Sequence, residues 1–506
     1  MAERPAMEGG CVLNVCVILT DTQNKSMVGA YGNPRVDTPH LDALAAEGIR
    51  FERAYTTCAL CTPARSALFS GLHPPVNGAW ANNMAPAANV PLMGTIMRHY
   101  GYRAAYTGKW HLDGAGYFGN GVADGGFEPD WWYDGVRYAQ DIGPEMFARY
   151  RTSRTPAELR EAGFTEETMW GHRVADRAID FLASVGDDPF ALVVSFDEPH
   201  GPHVAPPAYW EAFQPGDIPR PPNYNAPLDG KPALQRLQRR ERGDPAWLES
   251  AAGLTRFFGC NSYIDREIGR VLEAIDRWHG DDTVVIYTAD HGEMMGAHGL
   301  REKGPMVYEE ICNVPFIVRL PDGPRGAVSR SLVSHLDLLP TVLDLAGIQP
   351  PESMQGVSLR PVLEDPDVRT RDQLLISYTR FAINHDDWGG FYPIRCLVDD
   401  RGEDRRYKLA INLLDTDELY DLEADPYELH NEIDNPEHAD ARDRLHKTLL
   451  AEMDRIRDPF RGHPWAERAW GCPREPFYHG GARRNRPTGF PFEPASLEAD
   501  GSWSGR

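Results

Sequence analysis

Four apolar runs in this chain each end in a side chain that can hold a metal ion, move a proton or bind an anion. Val12 to Thr20 is followed by Asp21, "YRAAYTG" by Lys109 and His111, and "FALVVSF" by His200. "TVVIYTA" is followed by Asp290 and His291, with Lys303 soon after. Singly, these residues have structural explanations. An aspartate after a strand commonly caps a helix, and a lone histidine is more often a satisfied structural residue than a ligand. Together they form a set. Asp21, Asp290 and His291 offer oxygen-rich ligation for a hard or borderline divalent ion, with no sulfur cluster beside them. Lys109, His111, His200 and Lys303 could surround a tetrahedral oxyanion. Such a set suits metal-assisted hydrolysis of a phosphate or sulfate ester, but it lacks a nucleophile.

The stretch "CALCTPARSALFSG", residues 58 to 71, offers one. Two cysteines three apart ordinarily point to a redox couple or half a metal site. Here Cys61 is followed by Thr62, Pro63, Ala64 and Arg65, then by an apolar run closed by Gly71. Pro63 fixes the backbone just past Cys61, and the predicted helix points N–H groups and a positive dipole end toward residue 61. Arg65 can fold back onto the same point. This environment suits an anionic oxygen nucleophile as well as a thiolate.

For these side chains to meet, the runs before them must be neighbouring strands. Strand and helix patterns alternate through the first two-thirds of the chain. "TPHLDALAAEG" predicts a helix with Thr38 as N-cap, Pro39 at its first position and Gly48 as stop. Further helices are predicted over "PLMGTIMRHYG", "TMWGHRVADRAIDFLASVG", Leu254 to Trp278 and "HLDLLPTVLDLAG", and a further strand over "VPFIVRL". The fold class is therefore α/β, a mostly parallel central sheet sandwiched by helices, which binds ligands outside the carboxyl ends of its strands. After "GIQPPESMQG" come four successive strands, "QLLISYTRF", "PIRCLVDD", "YKLAINLL" and "ELYDL", then a helix from His438 to Arg457. The chain is divided accordingly into 1–370, a smaller α+β subdomain over 371–461, and a tail over 462–506. The tail is rich in Pro, Gly and aromatics; it is either disordered or a strap, packed on its own chain or across a boundary in a homo-oligomer.

The composition bounds the function. A chain of 506 residues, 42% hydrophobic and 25% charged, has room for a sizeable core. Its net charge of -23 argues against nucleic acid or an anionic membrane as partner, since both need clustered cations. Eight scattered cysteines are too few for a disulfide scaffold and fit reduced thiols in a cytosol. "MAERPAMEGG" lacks the apolar region of a signal peptide, and no apolar run is long enough to span a bilayer. The expected location is cytoplasmic.

The run "CTPAR" matches the C-x-P-x-R core of the sulfatase family. "LNVCVILTDTQ", "TPHLDALAAEGIRFERAYT", "GYRAAYTGKWHLDG", "SFDEPHGPHVAPPAYW", "DTVVIYTADHGEMMGAHGLREKGPMVYEE" and "ELYDLEADPYELHNE" resemble family segments, in the family's order. The likeness runs from residue 12 to residue 460 and is greatest to cytosolic bacterial sulfatases, with some to sulfamidases and phosphonate monoester hydrolases. It implies an alkaline-phosphatase-like fold and a sulfuric ester hydrolase of arylsulfatase type. It also implies that a formylglycine-generating enzyme oxidises Cys61 to formylglycine, whose hydrate attacks sulfur. One divalent ion, Ca2+ with Mn2+ or Mg2+ as alternatives, would be held by Asp21, Asp290, His291 and the modified Cys61. Arg65 would orient the hydrate, Lys109 and His200 would bind sulfate oxygens, and Lys303 would bind them or protonate the leaving oxygen. His111 would act as the base that breaks the hemiacetal. Asn82 falls where related hydrolases place a substrate-binding asparagine, with Asn83 as its rival. The substrate would be a small sulfated sugar or aryl sulfate.

Two departures stand out. Many sulfatases carry paired aspartates where this chain has Asp21, Thr22 and Gln23, and Asn or Gln where it has His291. An imidazole in place of a carboxylate makes the site more hospitable to manganese. The main rival is a phosphonate monoester or phosphodiester hydrolase on the same scaffold. Two others are a thiol redox or zinc protein using Cys58 and Cys61, and a non-catalytic binding protein. The aromatic stretch "YFGNGVADGGFEPDWWYDG" is either a stacking wall for the substrate or a packed surface loop.

Overall fold

The computed structural model of the chain describes residues 13–243, 246–385, 390–401, 405–468 and 470, and the backbone of 496–497 and 503–504. The reading of the tail as a strap falls mostly outside the described residues.

The strands of the main sheet, in chain order, are β1 (Asn14–Thr20), β2 (Ile49–Tyr55), β3 (Arg103–Gly108), β4 (Trp132–Tyr133), β5 (Phe190–Ser195), β6 (Thr283–Ala289), β7 (Phe316–Arg319) and β8 (Ala327–Ser334). They form one eight-stranded sheet in the order β4-β3-β5-β1-β6-β7-β2-β8. Only β7 runs antiparallel to its neighbours β6 and β2; the other pairings are parallel. The centre of the sheet is β1, buried along its whole length. Its side chains alternate between faces, as the pleat requires. Cys16 and Ile18 join one apolar cluster, while Val15, Val17 and Leu19 join another on the opposite face. Helices therefore cover both sides, as expected for parallel strands.

The helices that matter for the site are α1 (Pro39–Glu47), α2 (Cys61–Ser70), α3 (Met93–His99), α4 (Trp170–Ser184), α5 (Trp247–Trp278), α6 (Leu338–Leu345) and α7 (Ala439–Arg455). The expected helix after Thr38 has its predicted bounds, although the Thr38 side chain makes no capping bond. The long helix α5 starts at Trp247, seven residues earlier than its periodicity predicts.

Four more strands, β9 (Gln373–Arg380), β10 (Phe391–Asp399), β11 (Tyr407–Asn412) and β12 (Glu418–Asp421), make a separate antiparallel sheet. It joins the main part through an apolar cluster shared by Leu60, Met306, Tyr308, Ile376, Ile394 and Tyr420. Residues up to Arg461 make one compact unit, and Gly462 onward make another, whose described part includes a turn over His463–Trp465.

Candidate active site

Neighbours β3, β5, β1 and β6 bring their carboxyl ends side by side, so the side chains that follow them converge. Two backbone bonds fix the closest approach: Lys109 N–H donates to Ser195 O at 2.8 Å, and Asp290 N–H donates to Thr20 O at 3.1 Å. Gly108 sits at φ 106°, where a Cβ would collide with Ser195 O. Only glycine lets the two backbones pass.

Helix α2 aims its first residue at this point. It starts at Cys61 and ends at Gly71, whose φ of 67° is the left-handed stop its sequence predicts. No side chain of its own caps the start. Instead the Asn82 side-chain oxygen accepts from Thr62 N–H at 3.1 Å. Cys61 Sγ lies 3.2 Å from His291 Nε2 and 3.7 Å from Asp21 Oδ1, and all these groups are fully buried.

Asp21, Cys61, Asp290 and His291 each offer one ligand atom, and these atoms lie within 4.8 Å of one another. The His291 Nδ1–H donates to Gly292 O at 3.0 Å, which leaves Nε2 with a free lone pair facing the cluster. Burial holds its pKa below the usual histidine value, so the ring is neutral and ready to ligate. Burial and the Asp21 charge push Asp290 up to about 7. Burial opposes the charge of Asp21 too, but the Lys109 and Arg65 cations hold it well below the carboxylate range. Two buried carboxylates that cannot both ionise easily, a lone-pair imidazole and the residue 61 side chain fit a divalent cation.

Arg65 organises the pair. Its Nε donates to Asp290 Oδ2 at 2.9 Å and one Nη to Asp21 Oδ2 at 3.0 Å, while the other Nη donates to Lys109 O and Ser195 Oγ. The guanidinium is thus spent on both carboxylates. Thr22 donates from Oγ1 to Asp21 Oδ1 at 2.7 Å and from its N–H to Asp290 Oδ1 at 3.1 Å. Gln23 turns away, its Nε2 donating to Asn261 Oδ1.

The anion-binding candidates surround the cluster. Lys109 Nζ lies 2.7 Å from Asp21 Oδ2 and Lys303 Nζ donates to His200 Nε2 at 2.9 Å. Since His200 Nδ1–H donates to Gly201 O, its Nε2 is the acceptor, and burial with Lys303 and Lys109 nearby keeps the ring neutral. Burial works against both lysine charges, but the Asp21 carboxylate offsets it at each. His111 Nε2 meets Asn83 Oδ1 at 2.8 Å, and its buried Nδ1 has no hydrogen-bond partner. Burial, Lys109 and Arg65 hold this ring well below the usual histidine value, so it is an unprotonated base.

All ten residues singled out from the sequence lie around this point. Asn82 and Asn83 divide the work: the first meets the helix start and the second meets His111. Sequence reasoning missed Asp197, Tyr117, Ser195 and Thr22. Asp197 and Ser195 stand at the end of β5, where the strand-end rule that found His200 would have found them. Tyr117 had no such signal. Its stretch is mainly a packed loop, with Phe118 against Trp170 and Phe127 against Trp110, and within it Tyr117 turns in to touch His111 and His200.

Cys58 and Cys61 are not a couple. Both are free thiols, and Cys58 packs in the apolar cluster with Leu60 and Ile376 while Cys61 faces the carboxylates. Burial and Asp21 raise the Cys61 pKa, so the unmodified residue stays a thiol rather than a reactive thiolate.

Residues 13–348 match the family model described as Sulfatase, and residues 296–455 match the C-terminal region of N-sulphoglucosamine sulphohydrolase. The chain is 40% identical over 499 residues to the uncharacterized sulfatase YidJ of Escherichia coli, covering 96% of this chain and 98% of that one. A structure solved with its substrate D-glucosamine-2-N,6-O-disulfate superposes with a TM-score of 0.71 at 21% identity, covering 90% of this chain and 100% of that one. The phosphonate monoester hydrolase of Silicibacter pomeroyi superposes with a TM-score of 0.72 at 22% identity, covering 88% and 96%.

Proposed function

This chain belongs to the sulfatase family of sulfuric ester hydrolases, and we propose on that premise that residue 61 works as formylglycine beside one divalent ion. The observation that carries the reading is the buried cluster of Asp21, Cys61, Asp290 and His291 at the start of α2. Formylglycine, as its hydrate, supplies one hydroxyl to attack sulfur and a second whose deprotonation releases sulfate. The ion would be held by Asp21, Asp290, His291 and residue 61, and would offset charge on the attacking oxygen. Calcium or magnesium suits the carboxylates, and manganese also accepts the imidazole of His291.

Arg65 sets the spacing of the two carboxylates and, through them, the position of residue 61. Lys109 and Lys303 bind the sulfate oxygens, with His200 holding Lys303 in place through its Nε2. Lys303, which shares its hydrogen bond with His200, protonates the leaving oxygen. His111 serves as base through Nδ1, because its Nε2–H is committed to Asn83. Asn82 holds the start of α2 and reaches the substrate from there. The substrate is a small sulfated sugar or aryl sulfate, a reading supported by the glucosamine disulfate complex of a protein with the same fold. Maturation by a formylglycine-generating enzyme follows from the Cys-Thr-Pro-Ala-Arg run. The six described cysteines, all free and buried, support work in a reducing cytoplasm. Among the described residues, no helix is long and apolar enough to cross a membrane.

The test is a mass spectrum of the peptide containing residue 61, combined with turnover of aryl sulfate, phosphonate and phosphodiester substrates. Protein co-expressed with the generating enzyme should carry the aldehyde and prefer the sulfate ester. Cys61→Ser should lose more than a thousandfold in turnover, since a serine can attack but cannot release its sulfate ester. Turnover equal to wild type in that variant, or preference for the phosphonate, would overturn the reading.

A further inference from the structure

Lys109 carries more counter-charge than anion binding explains. Besides Asp21, its Nζ lies 3.1 Å from Asp197 Oδ1 and 3.8 Å from the centre of the Tyr117 ring. Asp21 belongs to the metal cluster, and a cation there takes up its charge. Asp197 does not belong to it. It is a further carboxylate, only 7% exposed, that accepts from the Tyr117 hydroxyl and stands against a lysine with no exposure at all. A site meant only to attract anions gains nothing from a fixed negative charge beside its own cation.

The charge of the substrate gives it a use. A sulfate monoester carries one negative charge, whereas a phosphate monoester above about pH 6 carries two. In a buried site, one extra charge a few ångströms from a fixed carboxylate changes relative binding roughly tenfold or more. We propose that Asp197 is a positioning residue which fixes Lys109 against Tyr117 and offsets part of its charge, so that the site accepts monoanionic tetrahedral esters and discriminates against dianionic phosphate monoesters. The shape of the two ester classes is alike, so charge is the property left to separate them. Tyr117 keeps the carboxylate pointed at the lysine: its hydroxyl engages Asp197 while its ring packs 5.5 Å from His111 and 5.0 Å from His200. The inference rests on the sulfatase reading above.

The experiment uses mature, metal-loaded protein at pH 8, with 4-nitrophenyl sulfate, 4-nitrophenyl phosphate and a monoanionic aryl phosphodiester. Asp197→Asn keeps the size and the acceptor for Tyr117 but removes the charge. It should raise kcat/KM for the phosphate monoester relative to the sulfate about tenfold, with the phosphodiester moving alongside the sulfate. Inorganic phosphate should inhibit sulfate turnover about tenfold more tightly. Asp197→Glu, which retains the charge, should stay near the wild-type ratio, Tyr117→Phe, which loses the hydroxyl that orients the carboxylate, should move part of the way toward Asp197→Asn, and melting temperatures check that each variant folds. If Asp197→Asn leaves both the ratio and the phosphate inhibition within twofold of wild type, the carboxylate is structural and the inference is wrong. Absence of sulfate turnover in the wild type would instead remove the reading beneath it.

Discussion

Asp290 decides the metal chemistry, because it is the ligand whose charge the protein alone supports least. Burial and Asp21 push it up to about 7, although Arg65 donates to it. In metal-free protein a carboxyl raised in this way contributes stability below its unfolded value near 4, and that contribution is lost as pH rises through about 7. A cation reverses the penalty by replacing the proton, so metal affinity should rise with pH up to about 7 and then level. The melting temperature gained on adding the ion should accordingly be larger at pH 8 than at pH 5.5. Asp290→Asn should lose the ion by elemental analysis and lower turnover by at least a hundredfold. An ion retained by the variant, or an equal gain at both pH values, would contradict this. Asp21, Asp290 and His291 were legible as candidates because each follows an apolar run, and Cys61 because it opens a helix beside Pro63 and Arg65. The role of Arg65 was not, since sequence cannot tell a guanidinium that meets the reacting group from one spent on two carboxylates. Neither could it tell that Asn82 faces Thr62 while Asn83 faces His111.

At the scale of elements, the segment from Lys303 to Cys312 links the site to the second sheet. Lys303 reaches His200, while Glu309, six residues on, is 2.7 Å from Lys408 Nζ on β11. Lys408 is fully buried and also meets Glu428 at 2.8 Å and donates to Val307 O. Against the cost of burial, Lys408 holds Glu309 down at about 2, so this contribution is present above the unfolded value near 4.5 and is lost as pH falls through about 2. Removing the lysine strands two acids. Lys408→Met should cost about 3–5 kcal/mol of stability. It should also raise KM for the sulfate ester by loosening Lys303, a change that calorimetry and kinetics on the same sample would detect. A stable variant with unchanged KM would mean that the second sheet does not support the site. A second tie runs through the loop after β9, where Asn384 Oδ1 accepts from Asn83 Nδ2 at 3.0 Å. Most of the strands and helices were readable from periodicity, including the stop of α2 at Gly71, but the strands β2, β4 and β8 were not. These ties were not, because the contacts of Lys303 with His200, Glu309 with Lys408 and Asn83 with Asn384 pair residues about a hundred or more positions apart that no local pattern relates.

For the molecule as a whole, a net charge of -23 surrounds a site built from Arg65, Lys109 and Lys303, each at most 7% exposed. The buried cations are invisible in a sum over the chain. The two fields oppose each other along the substrate's path. An anionic ester is repelled by the surface at long range and attracted only near the strand ends, where water and salt are excluded. Salt screens the first interaction and hardly the second, since the Debye length falls from about 30 Å at 0.01 M to about 10 Å at 0.1 M. Raising ionic strength over that range should therefore increase kcat/KM, and the increase should grow with substrate charge. A monosulfated aryl ester should change less than about twofold, and a sugar carrying three or more sulfates should gain several-fold. Measuring both at fixed pH and metal concentration, with sodium chloride as the only variable, separates this from ion-specific effects at the site. A polysulfated substrate that slows as salt rises would show that a cationic approach governs capture in spite of the net charge.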